Sequence, residues 1–205
     1  MSWFDRIILL LTGLTAIYLL WQFWGRYTAK KAIYDVYYLM GFAVLLVSGL
    51  LLIFLGWGIL ASPLVLTVAS LIPLGISMGI MEQYYPERKA AFKWFALVGF
   101  LAIAVTSIAG LSLKAAAVPL FHGVAGLVIF LGPIIADRNN KAPKGFFWVG
   151  IGGVLIGLGG IALAFLSVGS QLLFFSQSFV LMILAPLLLL MTLAFAYGFV
   201  KDIQS

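Results

Sequence analysis

The chain reads as an all-α integral membrane protein, a bundle of seven transmembrane helices with the N-terminus outside and the C-terminus cytoplasmic. Three observations predict this. Hydrophobic residues make up 64% of the 205 and charged residues 9%, against about 25% charged in an ordinary soluble domain, so lipid is the solvent for most of the surface. The apolar residues fall into seven continuous segments, each long enough to cross a hydrocarbon core of about 30 Å, which takes roughly 20 helical residues. Lys and Arg sit in short clusters between alternate segments. Continuous runs call for helices, because a bilayer offers no partner to unpaired backbone groups and barrel strands are short and alternating.

The segments cover approximately 7–24, 34–56, 62–81, 94–112, 115–136, 146–167 and 173–199. The first follows Arg6 and continues through Trp21, Gln22, Phe23 and Trp24 without a small-x-small cleavage site, so it is a retained span and not a signal peptide. Arg26, Lys30 and Lys31 follow the first span, Arg88, Lys89 and Lys93 the third, Arg138, Lys141 and Lys144 the fifth, and Lys201 the seventh. These ten cations face only Arg6 and Lys114 on the other side, so they mark the cytoplasmic face of the cell (inner) membrane. An even number of spans would scatter the clusters. A net charge of +6 distributed in this way reflects membrane topology, and nucleic acid is not expected as a partner.

Aromatic residues gather at the same ends. Trp21, Trp24 and Tyr27 meet Tyr34, Tyr37 and Tyr38; Tyr84, Tyr85 and Trp94 flank the next loop; Phe146, Phe147 and Trp148 open the sixth span. They read as an interfacial belt at headgroup depth. The outer connections, 57–61, 113–116 and 167–170, are too short for a lid or a domain, and residues 1–205 are expected to form one domain with no linker.

The fifth span, AAAVPLFHGVAGLVIFLGPIIA over 115–136, carries the only histidine, His122. If its helix begins near Lys114, His122 lies about 12 Å along the axis, inside the outer half of the bilayer. If Pro119 instead marks the first turn, His122 sits near the outer headgroups. A neutral imidazole is a strong ligand for a porphyrin-type metal, and Gly123 and Gly126 leave room beside it, so these three residues form the candidate tetrapyrrole site. The competing reading is an interfacial or hydrogen-bonded histidine. A six-coordinate haem needs a second strong ligand that the chain lacks, which leaves a single-ligand pigment or a haem shared with another subunit.

The sixth span is dense in glycine. Gly153, Gly157, Gly160 and Ala164 fall at i, i+4, i+7 and i+11, lining one helix face with almost no side chain. Such a face lets another backbone approach closely where van der Waals contact must hold helices together. Helix packing within the protein is the first reading and a cofactor or partner groove the second. The glycines lie inside a membrane helix, not between a strand and a helix, so they do not form a phosphate-binding loop.

Pro73, Pro133 and Pro186 lie inside the third, fifth and seventh spans, where a missing amide donor bends a helix, and they are the candidate hinges. Spans one to three and five to seven share a direction, with the fourth as an inverting linker. Pro73 in SLIPLGISMGI can be laid over Pro186 in MILAPLLLLMTL. This arrangement resembles the three-plus-one-plus-three plan of the small sugar-transporter fold with PQ loops, although no Pro-Gln pair occurs in the chain. The resemblance implies parallel triple-helix bundles that rock about a central site, and with them small-solute transport.

Other chemistry lacks its residues. There is no Cys, which removes disulfides, thiolate nucleophiles and Cys-ligated metals. Asp5, Asp35, Glu82, Glu87, Asp137 and Asp202 all sit at or beyond span ends, so proton relays and carboxylate metal cages have no candidates at the midplane. Asp35, four residues from Lys31, is explained as a helix-dipole and ion-pair residue. A retinal pigment needs a buried lysine in the seventh span, and Lys201 is at its end. Serines occur without a histidine–acid partner. The expected function is therefore a non-catalytic subunit or scaffold of a larger membrane complex, energy-converting or pigment-associated, with other membrane subunits and the lipid bilayer as partners. Small-solute transport is the alternative.

Overall fold

The computed structural model describes residues 1–167 and 176–205, with the side chains of 161–167 and of Gln177 outside that description. The expected outer connection at 168–170 and the start of the seventh span at 173 lie outside the described residues. All regular structure described is helical: α1 (Trp3–Lys30), α2 (Ile33–Leu55), a 3₁₀ turn (Trp57–Ala61), α3 (Pro63–Ala69), α4 (Leu71–Tyr84), α5 (Lys89–Ile108), α6 (Lys114–Arg138), α7 (Phe147–Ser167) and α8 (Gln177–Ile203). Helices α3 and α4 form one bent rod, so the bundle has seven rods. Six of them are long and apolar enough to cross a membrane, and the seventh, α7, is apolar over Phe147–Leu158. The chain is a multi-pass helical membrane protein by length and hydropathy.

Each helix start and stop has a local cause. Ser2 and Asp5 form a reciprocal capping box on α1, and the left-handed Lys31, at φ 52°, closes the same helix with its amide donating to Tyr27 O at 2.8 Å. The break between α3 and α4 falls at Ser70 because Pro73, four residues beyond Ala69, has no amide hydrogen to give to the Ala69 carbonyl. Helix α6 begins at Lys114, which puts Pro119 inside the helix and His122 about 12 Å from its start. Pro133 and Pro186 lie inside α6 and α8.

Among the described residues, the rods pack as a ring, α1–α2–α4–α6–α7–α8 and back to α1, with α5 outside against α3, α4 and α6. Short connections make sequence neighbours antiparallel, so the C-terminal ends of α1, α4, α6 and α8 meet at one end of the ring. That end carries the ten clustered cations. The ring order is cyclic in two triples: α1, α2 and α3/α4 follow one another as α6, α7 and α8 do, and α4 meets α6 as α8 meets α1.

The core sits toward the cation-rich end. Phe23, Tyr38, Phe42, Phe146, Phe195 and Phe199 are fully buried and stack on one another, with Phe23–Tyr38 and Tyr38–Phe199 ring centroids 4.9 and 4.7 Å apart. Tyr38, Tyr84 and Phe146 are therefore core residues and not part of an interfacial belt. Tyr38 lies on the buried repeat Asp35, Tyr38, Phe42, Leu45 of α2, which faces inward. Trp21, Trp24 and Trp94, each more than half exposed, hold the belt positions.

Candidate functional site

The richest polar chemistry among the described residues lies where four helix ends converge beneath the aromatic core. Arg26 of α1 sits between two carboxylates. Its Nη2 is 2.6 Å from Asp35 Oδ1 on α2, its Nε donates to the same oxygen at 2.7 Å, and its Nη1 donates to Asp202 Oδ2 on α8 at 2.6 Å. Asp202 also accepts a short hydrogen bond from Tyr84 Oη and is 3.1 Å from Gln83 Nε2 through both oxygens, which brings in α4. Tyr38 Oη donates to Gln83 Oε1 at 3.1 Å, and the Phe23 and Tyr34 rings cover the guanidinium. Asp35 is wholly buried, Arg26 and Asp202 nearly so.

Asp35 does not pair with Lys31. Lys31 instead lies over the Tyr27 ring, because the left-handed turn at that residue turns it away from α2, while Arg26 is directed inward. The sequence reading passed over this cluster, yet its signal was present. On α1 the buried residues are Asp5, Leu9, Thr12, Ala16, Leu19, Phe23 and Arg26; on α8 Phe195 and Phe199 are followed by Asp202. Each charged residue extends the spacing of three and four that marks the inward face by one more turn. Proximity to a helix end does not mean proximity to water when the residue continues the buried period.

Asp137 and Glu82 have structural work. Asp137, at the end of α6, accepts from the amides of Gly145 (2.9 Å) and Phe147 (3.3 Å), capping the N-terminus of α7 across the loop. Gly145 reaches that position with φ 99°, a conformation side chains resist. Glu82 pairs with Lys89 at 2.9 Å and Lys93 at 2.6 Å, joining α4 to α5. Tyr85 donates to Gly132 O at 2.7 Å. Burial first, then the nearby Glu87 carboxylate, push its phenol above the ordinary tyrosine value, so it stays a donor.

His122 lies half-buried in the α6–α7 seam. A Cβ placed on Gly160 would be 3.5 Å from His122 Cδ2 and 3.7 Å from Nε2, so the imidazole and one member of the glycine stripe meet each other. Nothing among the described residues lies within 4 Å of a Cβ placed on Gly123 or Gly126, so both are open, and a methyl group at Gly160 would meet the imidazole in ordinary contact. Along the stripe, a Cβ on Gly153 would come 2.9 Å from the Ile129 carbonyl carbon, whereas Gly157 has nothing within 4 Å. The side chain of Ala164 lies outside the described residues. Two close contacts outside the expected stripe are Gly150, whose Cβ would meet Phe130 O at 2.6 Å, and Gly75, whose Cβ would meet Tyr37 O at 2.9 Å. The described residues hold no group of three or more His, Asp or Glu spaced for a metal.

The buried cluster unites four helices through charge and hydrogen bonding, and its groups are directed at one another. Comparison of the chain with protein-family models, with curated proteins and with solved structures gives no match.

Proposed function

We propose that the chain is a non-catalytic subunit or scaffold of a larger assembly in the cell (inner) membrane, energy-converting or pigment-associated, with its N-terminus outside and its C-terminus cytoplasmic. The supporting observation is the division between how its polar and its small residues are used. Asp5, Asp35, Glu82, Asp137 and Asp202 are all engaged in caps or ion pairs within the fold, so chemistry on a substrate would dismantle the interior. Gly123, Gly126 and Gly157 meanwhile present backbone on which none of the described residues packs, which is the surface another membrane helix needs for close approach.

Orientation is tested with single cysteines, which are unique in this chain. Ser2→Cys should react with an impermeant thiol reagent in intact cells, and Asn140→Cys and Ser205→Cys only after permeabilisation. Labelling of Asn140→Cys from outside would overturn the orientation. The subunit role is tested by the size of the particle extracted gently from native membranes. Gly126→Leu should release the chain from a larger particle with its helix content unchanged, and a particle of unchanged size argues against the proposal. A tetrapyrrole on His122 is the ligand this role would carry; native protein should then absorb in the visible and lose that band in His122→Ala.

A second reading, small-solute transport, is favoured by the cyclic order of the two triples, which sets α3/α4 with Pro73 and α8 with Pro186 in equivalent places. In reconstituted vesicles it predicts saturable uptake that Pro73→Ala with Pro186→Ala abolishes. The scaffold predicts no uptake to abolish.

A further inference from the structure

We propose that the buried cluster of Arg26, Asp35 and Asp202 is a proton-binding site, holding one proton on Oδ2 of Asp35, which is a carboxylic acid. One guanidinium faces two carboxyl groups, so with all three ionised the cluster would carry a net charge of −1. The three side chains are 3%, 0% and 4% exposed. A charge left over in such a place has neither water nor a partner to stabilise it, and gaining a proton removes it.

No second buried cation balances the cluster among the described residues. Around Asp35 stand Arg26 and Lys30 on α1, Tyr34 and Tyr38 on α2, and Asp202 on α8, which Tyr84 on α4 joins through its hydroxyl. The 3₁₀ turn and α3, which also pack on α2, carry no titratable residue. Lys30 is exposed, so water and salt screen it. Tyr34, Tyr38 and Tyr84 are neutral as phenols and bring no positive charge.

Geometry decides which carboxyl group holds the proton. Asp202 is met by donors on both oxygens: Arg26 Nη1 at 2.6 Å on Oδ2, the Tyr84 hydroxyl on Oδ1, and Gln83 Nε2 at 3.1 Å from each. A hydrogen on either oxygen would face a donor. At Asp35, Arg26 Nε and Nη2 both converge on Oδ1, at 2.7 and 2.6 Å, while Oδ2 is buried without a hydrogen-bond partner. An ionised carboxylate meets a guanidinium as a fork, one nitrogen to each oxygen. Both arms on one oxygen, with the other turned away, is the arrangement of an acid whose carbonyl accepts and whose hydroxyl lies outside the fork. An unpaired neutral hydroxyl there costs far less than an unpaired charged oxygen. The Arg26 charge is then balanced by Asp202 alone.

The test reads the carboxyl group directly, by infrared spectroscopy of the full chain in lipid at neutral pH. The unmodified protein should show the carbonyl stretch of a protonated carboxyl, and the band should move to lower frequency when the chain is made with aspartate carrying carbon-13 in its side-chain carboxyl. Asp35→Asn keeps the acceptor oxygen and the neutral charge, so helix content should be unchanged while the band is lost. Asp202→Asn should remove the band with Asp35 intact, because Arg26 and Asp35 then balance as an ion pair and no proton is needed. Glu82→Gln should leave the band in place, since Lys89 and Lys93 already neutralise that carboxylate. Absence of the band from the unmodified chain, its indifference to the aspartate label, its survival in Asp35→Asn or Asp202→Asn, or its loss in Glu82→Gln would each overturn the proposal.

Discussion

The α1–α2–α4–α8 side of the bundle and the α5–α6–α7 side fill their seams differently. On the first side large rings interlock, Phe23 with Tyr38 and Phe199, and the end of the seam is closed by the buried Arg26, Asp35 and Asp202. On the second side the α6–α7 seam is backbone against backbone at Gly150 and Gly153, and α5 is joined to α4 by lysines near the surface, Lys89 and Lys93, on Glu82. One protein in one solvent thus holds its helices in two ways. Where rings and charges fill the space, losing a group leaves a void or an unpaired charge. Where glycine brings backbones together, adding a group forces them apart.

The largest effect should come from breaking the ion cluster on one side only. Asp202→Ala leaves Arg26 with Asp35 alone and takes the acceptor from Tyr84 and Gln83, and removing one member of a buried pair costs about 3–5 kcal/mol. Thermal unfolding in detergent should drop steeply, whereas replacing Arg26, Asp35 and Asp202 together by Met, Leu and Leu should recover most of the loss, because apolar residues of similar volume carry no desolvation penalty. Failure of the triple change to recover would mean that the charges do more than hold the helices.

Glycine substitutions sharpen the contrast within a single helix pair. Gly153→Ala puts a methyl 2.9 Å from the α6 backbone, an overpacking of about 1–3 kcal/mol. Gly123→Ala on α6 enters open space and should stabilise by up to about 1 kcal/mol through helix propensity. Equal effects on the unfolding midpoint would remove the distinction between packed and open faces.

Capping comes next in size. Asp137→Ala frees the Gly145 and Phe147 amides at the start of α7, at about 1 kcal/mol, and hydrogen exchange at those two amides should speed up while exchange within the aromatic core does not. The smallest change is expected for Lys89→Ala. Its side chain is 43% exposed and Glu82 keeps Lys93, so the loss should stay within about 1 kcal/mol. A loss as large as that of Asp202→Ala would show that α5 is anchored as firmly as α8.

Much of the architecture was legible in the sequence. Seven apolar runs gave seven rods because lipid forces each backbone group to find its partner within its own helix, and that requirement is local. Pro73 explains the break at Ser70 by a reason as local, while Pro133 and Pro186 lie inside unbroken helices. Along the glycine stripe, a Cβ on Gly153 would meet the α6 backbone while one on Gly157 meets none of the described residues, a difference that depends on the packed bundle.

What the sequence determined by itself is everything that depends on length, composition and period: helices, their number, their alternating direction and the end that collects the cations. Which distant residues meet depends on how the helices pack. Arg26 and Asp202 are separated by nearly the whole chain, and no local rule pairs them. They meet because α1 and α8 lie side by side in the ring with their C-terminal ends together. The inward stripe of each helix announced that something polar was buried there. The partner was set by the order of helices around the ring, and that order is fixed by how rings and glycines fit in three dimensions.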